Sequence, residues 1–154
     1  MKKYLLILSL SLFLPLGLFA AKTIDMHSSP TCGCCKLWAD YMQKKGYEVK
    51  VTESRDYYKI KDKYKIKPEY QSCHTGILEG YVVEGHVPES AIEWLLKNKP
   101  ENVIGISVPG MPLGSPGMEQ GNKKDEYPVL LLYKDGSSKI YGHFKGETLT
   151  KKGL

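Results

Sequence analysis

The amino-acid sequence predicts an α/β domain built around a strand that hands over to a helix at a cluster of thiols. Three observations carry that prediction. Short runs that alternate apolar and polar residues, such as Tyr47 to Thr52, read as strands with one buried face. Between them lie stretches with apolar residues at helical spacing, Leu37, Trp38, Tyr41 and Met42 in the first and Ala91, Ile92, Leu95 and Leu96 in the last. The first of these helices opens on Thr31-Cys32-Gly33-Cys34-Cys35-Lys36, which places three thiols within four residues.

Taken in order, Thr23 to His27 reads as a short strand and Lys36 to Lys45 as a helix that Gly46 ends. Tyr47 to Thr52 follows as a strand. A second helix is expected from Asp56 to Tyr64, capped by Ser54 or Asp56 and closed by Pro68. Gln71-Ser72-Cys73-His74-Thr75 leads into Gly76 to Leu78, the turn Glu79-Gly80 and Tyr81 to Glu84, a β-hairpin. Gly85-His86-Val87-Pro88 ends the hairpin, and Pro88 suits the first position of a helix that reaches Asn98. Strand, helix, strand, helix, hairpin, helix is the thioredoxin-like order, and the Cys-x-x-Cys spacing of Cys32 and Cys35 strengthens that reading. From Pro100 to Pro128 the composition shifts to Gly, Pro and Met, as a long loop with no periodicity. Val129 to Tyr133, the turn Lys134 to Ser137, and Lys139 to Phe144 close the chain as a terminal hairpin. The expected fold is therefore a modified thioredoxin-like one, with a long Gly/Pro/Met loop and a C-terminal β-hairpin.

The first residues read as an address. Lys2 and Lys3 precede an apolar run, Tyr4 to Phe19, broken by Pro15 and Gly17 and closing on Ala20-Ala21. That is a secretory signal pattern, shorter than a membrane anchor requires. Residues 1–20 are expected to be a signal peptide and 21–154 a single domain, periplasmic or otherwise exported, with no membrane attachment after cleavage. Without Lys2 and Lys3 the formal charge falls from +5 to +3. The remaining lysines interleave with Asp and Glu, and the basic stretch Lys59 to Lys67 reads as one wet helical face, which argues against a nucleic-acid partner.

The thiols carry the chemistry. A helix N-terminus favours thiolate, the form that attacks disulfides and binds soft metals. The strand order predicts that Cys73 and His74 face the Cys32 to Cys35 cluster, and that His86 and His27 return to the same end; His143 falls outside that convergence and reads as a surface residue. Should the four thiols share one site, mild oxidation is expected to link Cys73 to Cys32, Cys34 or Cys35. Two disulfide staples are the plainer reading of four cysteines in an exported protein, but Cys32, Cys34 and Cys35 enclose loops too small to restrict an unfolded chain. Two functional readings remain. One is a copper site, since crowded thiolates and thioethers select Cu(I) and adjacent cysteines can bridge more than one ion; zinc is the second metal, although its sites usually pair separated doublets. The other is a thiol-disulfide oxidoreductase in which Cys32 attacks and Cys35 resolves. Against that alternative, Ser72-Cys73-His74 stands where such reductases carry a cis-proline.

At these positions the chain resembles a known family. Met26-His27-x-Ser29-Pro30-Thr31-Cys32-Gly33-Cys34-Cys35-Lys36-x-Trp38, Gln71 to Thr75, Glu84 to Pro88 and Val108 to Met118 are similar to the exported CopG-type copper-resistance proteins, a family formerly known only as a metal-binding domain of unknown function. The resemblance implies a periplasmic, thioredoxin-like protein that holds copper in a thiolate-bridged cluster. By motif match it implies Cys32, Cys34, Cys35 and Cys73 as metal ligands, with His74, His86, Met111 and Met118 as further candidates. It implies copper ions, and other periplasmic copper-handling proteins, as partners. A metal-binding protein and a copper-dependent oxidoreductase both stay open on these motifs.

Overall fold

The computed structural model describes residues 21–154; the expected leader lies outside the described residues. The chain forms an α/β structure with one mixed eight-stranded sheet. Its elements are β1 (Thr23–Ser28), α1 (Gly33–Lys44), β2 (Glu48–Glu53), α2 (Lys59–Lys63), β3 (His74–Leu78), β4 (Tyr81–Glu84), α3 (Glu89–Asn98), β5 (Val103–Ser107), β6 (Glu126–Tyr133), β7 (Ser138–Lys145) and β8 (Thr148–Lys152). The spatial order is β2-β1-β3-β4-β5-β6-β7-β8. Strand β1 runs parallel to β2 and antiparallel to β3, and β4 runs parallel to β5 with α3 as the crossover. No helix among the described residues is long and apolar enough to cross a membrane.

The core lies between the sheet and its two longer helices. From α1, Cys35, Trp38, Ala39 and Met42 point inward, a stripe at i, i+3, i+4 and i+7, whereas Leu37, expected on that stripe, is exposed. From α3 come Ala91, Ile92, Leu95 and Leu96. They meet Ile24, Met26, Val83, Ile106, Val129, Leu131 and Phe144 from the strands. Each large side chain buried this way contributes about 1.5–3 kcal/mol of transfer free energy. The opposite face carries a smaller cluster, Ile66, Val82 and Leu132, beneath α2 and the segment after it.

Three expectations need correction. The second helix spans Lys59–Lys63 only, because residues 55–58 form turns before it. The long loop is interrupted by β5, whose Val-Ile-Gly-Ile-Ser run lacks clean alternation. Gly105 is required there, since a Cβ would stand 2.2 Å from the Val82 carbonyl oxygen. The C-terminal hairpin is a three-stranded meander: β8 adds an edge, and β5 joins the meander to the rest, so one sheet runs through the chain. The sheet is thus wider than the predicted order requires.

Candidate metal centre

Strand register builds the site. Ser28 at the end of β1 pairs with His74 at the start of β3, so Cys73 emerges beside the loop that opens α1. Cys32 caps that helix, and Cys34 and Cys35 occupy its first turn. The Cys34 and Cys73 sulfurs lie 3.9 Å apart although 39 residues separate them, and Cys32 Sγ lies 3.5 Å from Cys34 Sγ. The ligand atoms of Cys32, Cys34, Cys35 and Cys73 all fall within 4.8 Å of one another, and Cys73, His74 and His86 form a second such group. Cys73 belongs to both.

Two of the thiols are joined. Cys32 and Cys35 form a disulfide with Cα atoms 5.4 Å apart, while Cys34 and Cys73 are free and half-buried. The expected link from Cys73 to the helix is therefore absent, and the pairing follows the Cys-x-x-Cys turn instead. Burial, reinforced by Cys34, pushes the Cys73 thiol up to about 12. Without metal it is protonated at neutral pH, so a metal that binds it displaces a proton.

The histidines differ in their hydrogen bonding. Gly85 precedes His86 at a positive φ of 75°, and a Cβ there would meet the Ser72 side chain at 2.4 Å, so only glycine lets β4 turn this closely. His86 Nδ1 lies 2.7 Å from the Pro116 carbonyl oxygen, which can only accept; Nδ1 therefore carries the proton and Nε2 presents its lone pair 3.1 Å from Cys73 Sγ. His74 is fully buried against the Trp38 ring, at 4.6 Å between centroids, with Nδ1 3.4 Å from Cys73 Sγ. Its Nε2 has no hydrogen-bond partner. Burial lowers both pKa values, that of His74 well below its ordinary value, so both rings are neutral at pH 7, the ligating form.

Other candidates fall elsewhere. His27 pairs with Thr75 on the sheet face opposite Ser28 and His74, and it lines a groove with Thr52, Tyr57 and Ile60. The alternation of β1 turns it away from the thiols, so the expected convergence holds for His74 and His86 but not for His27. His143 lies on β7 beside Pro128 and Lys151. Met111 is 56% exposed and Met118 half-buried. Their loop packs on the cysteine helix: at Gly117, φ 80°, a Cβ would stand 2.6 Å from the Trp38 backbone nitrogen and 3.1 Å from the Cys34 carbonyl oxygen.

Sequence reasoning missed a buried charge pair behind the site. Lys61 of α2 and Glu84 of β4, 3% and 0% exposed, form an ion pair, and Thr75 Oγ1 donates to Glu84 Oε2 at 2.6 Å. Burial raises the Glu84 pKa against the pull of Lys61. The available signal was a glutamate ending the apolar run Tyr81-Val82-Val83 just before Gly85-His86.

Comparison with known proteins adds a family. A family model described as "Protein of unknown function, DUF411" matches residues 70–118, the stretch from the Cys73 corner to Met118. No curated protein matches. Two solved structures, described as forms 2 and 1 of "Copper resistance protein copG", are each 36% identical to this chain with a TM-score of 0.77. They cover 81% and 82% of this chain, and 99% and 100% of their own.

Proposed function

The chain belongs to the family of the copper-resistance protein CopG, and from that premise we propose that it is an exported copper-handling protein holding Cu(I) in a cluster of cysteine thiolates. The observation that carries the reading is the Cys34 to Cys73 sulfur separation of 3.9 Å, inside a group of four sulfurs drawn from two remote parts of the chain. Crowded soft donors of this kind favour Cu(I) and suit bridging of more than one ion. In this reading Cys32, Cys34, Cys35 and Cys73 are the thiolate ligands, His74 and His86 add nitrogen donors, and Met111 and Met118 lend thioethers. Residues 1–20 are a signal peptide, the remainder is a single domain, and the β1-α1-β2 and β3-β4-α3 halves form a modified thioredoxin-like unit that the meander extends. Loading all four thiolates requires the Cys32–Cys35 disulfide to take up two electrons from a reductant, so oxidation state governs capacity.

The Cys32–Cys35 disulfide favours a second reading, thiol-disulfide exchange at the Cys-x-x-Cys turn. One experiment separates the two. Anaerobic Cu(I) titration of the fully reduced protein, followed by air exposure with metal and thiols counted at each stage, is expected to give more than one copper per chain. Retention of a single zinc with copper excluded would end the copper reading. Catalytic disulfide reduction that survives a copper chelator and needs only Cys32 and Cys35 would establish the second.

A further inference from the structure

The buried Glu84 carboxylate ties together the chain on both sides of Cys73-His74. Its Oε1 accepts from the Ser72 backbone N–H at 2.7 Å and from Lys61 Nζ; its Oε2 accepts from Thr75 Oγ1, which also receives Lys61 Nζ at 2.9 Å. Ser72 and Thr75 bracket Cys73-His74, and Glu84 itself lies two residues before His86. The network continues outward: Ser72 Oγ donates to the Gly110 carbonyl oxygen, and Gly110 N–H returns to the Gln71 carbonyl oxygen at 3.0 Å, closing a parallel bridge to the Pro-Gly-Met loop. Stability alone is a weak reason for such a pair, because a buried ion pair can often be replaced by apolar residues of similar volume at no cost. What a carboxylate can do and a leucine cannot is hold the Ser72 N–H, and with it the direction in which the chain delivers Cys73.

We propose that Glu84, neutralised by Lys61, is a positioning residue that fixes Cys73 beside Cys34 as a free thiol and withholds it from the disulfide at the head of α1. The reaction withheld is thiol-disulfide exchange. The Cys73 thiolate would attack one sulfur of the Cys32–Cys35 bond; a new S–S bond forms, the old one breaks, the displaced sulfur leaves as thiolate and takes the proton that Cys73 gave up. No net electrons are transferred. Cys73 lies close enough for this, its Sγ within 4.8 Å of both disulfide sulfurs, and yet the bond joins Cys32 to Cys35. The proposal rests on the copper reading only where copper is measured; its thiol half concerns the metal-free protein.

The test uses metal-free protein carrying one disulfide, equilibrated at mildly alkaline pH, quenched by alkylation and mapped by peptide mass spectrometry. In the wild type the link is expected at Cys32–Cys35 with Cys34 and Cys73 alkylated. In Glu84→Gln, and in the apolar double variant Lys61→Met/Glu84→Leu, links that contain Cys73 should rise about tenfold relative to Cys32–Cys35, the effect of losing one charge-assisted hydrogen bond. Glu84→Asp should restore part of the wild-type distribution. The double variant keeps the test independent of a lone buried lysine, because it removes both charges. Should both variants fail to fold, Thr75→Val removes one donor at constant volume and should give a rise of roughly threefold for the weaker, neutral donor. A folded variant with the wild-type melting temperature, the wild-type disulfide and an unchanged Cys73 alkylation rate would overturn the proposal. Thiolate-to-copper absorption of the loaded variants provides the second readout, expected to shift in Glu84→Gln and to recover in Glu84→Asp. If the wild type takes up no copper, the copper reading fails while the disulfide map still decides the role of Glu84.

Discussion

The two halves of the cysteine site are built on opposite principles. At the head of α1, Cys32, Cys34 and Cys35 stand at the N-cap and in the first turn, with two of them already joined as a disulfide. At the β3–β4 corner, Cys73, His74 and His86 are held by strand pairing, a buried ion pair and the Pro116 carbonyl, and neither imidazole carries charge at neutral pH. The helix half holds the disulfide, whose reduction would free two more thiols. The strand half holds no disulfide and is set by strand pairing and the His86 hydrogen bond to Pro116. Reduction would thus add free thiols on one side, while strand register sets the other.

Removing the fixed sulfur is the strongest way to break that contrast. Cys73→Ser should lower the copper capacity of the reduced protein at least as much as Cys34→Ser, because a bridging thiolate takes more than one bond with it. The fold should survive, since Cys73 is half-buried at a strand entrance. Metal analysis after anaerobic dialysis checks both variants; unaltered capacity in Cys73→Ser would remove the strand half from the site altogether.

The second effect is carried by pH. Burial depresses the folded pKa of His74 and His86 below the ordinary value of 6.5, so below that value the unfolded chain takes up protons that the folded chain refuses. The metal-free protein therefore keeps their contribution above about pH 6.5 and loses it as the pH falls through the folded values, by at most about 1.4 kcal/mol per pH unit for each histidine. On the alkaline side Cys73 acts in the other direction. Its raised pKa gives stability that is complete below the ordinary thiol value and lost as pH climbs toward about 12. Denaturant unfolding at pH 7.5 and pH 5 should show the acid limb in the wild type and a shallower limb in His74→Leu.

That same variant separates site from scaffold. His74 Nε2 is buried without a partner, and a buried polar atom left unpaired costs about 1–3 kcal/mol. At pH 7.5 His74→Leu should therefore raise the stability of the metal-free protein by roughly 1 kcal/mol while weakening metal retention. A drop in both would make His74 a packing residue against Trp38. A gain in stability with unchanged retention would leave the nitrogen without a role in the metal centre.

What the sequence made legible is tied to short-range pattern. The apolar stripe that carries Trp38 and Met42, the Glu79-Gly80 hairpin and the helix after Pro88 all stand where periodicity and turn residues put them. The meeting of Cys73 with the helix thiols followed from strand order. The missed features lack a local signature. β8 reads Thr-Leu-Thr-Lys-Lys, an edge strand with mostly exposed residues and no buried face to mark it. β5 is five residues with a glycine at its centre, needed because the neighbouring strand comes too close for a side chain. Lys61 belongs to a basic run that reads as a wet face, and only the tertiary meeting with Glu84 turns it inward. His27 was misplaced because strand order fixes which end of the sheet a residue reaches, whereas alternation fixes its face.

The smallest expected effect concerns the loop that joins the two halves. Pro116 receives His86 from the strand side, and Gly117 presses on the Trp38 backbone nitrogen and the Cys34 carbonyl on the helix side, so the loop backbone is fixed by contacts that need no thioether. Its methionines are differently placed: Met111 is exposed, whereas Met118 is half-buried one residue after Gly117. A thioether is a neutral, weaker donor than a thiolate, so Met118→Leu should weaken Cu(I) retention by only a few-fold, roughly 0.5–1 kcal/mol. Met111→Leu should do less. Leucine keeps the apolar volume, so thermal stability is expected to stay within about 0.5 kcal/mol in both variants. Competition with a chromophoric Cu(I) chelator reads the difference. Equal retention in wild type, Met118→Leu and the double variant would make the loop a clamp between the two halves that contributes backbone and no sulfur. A larger loss in Met111→Leu than in Met118→Leu would mean that the exposed thioether, and not the half-buried one, meets the ion.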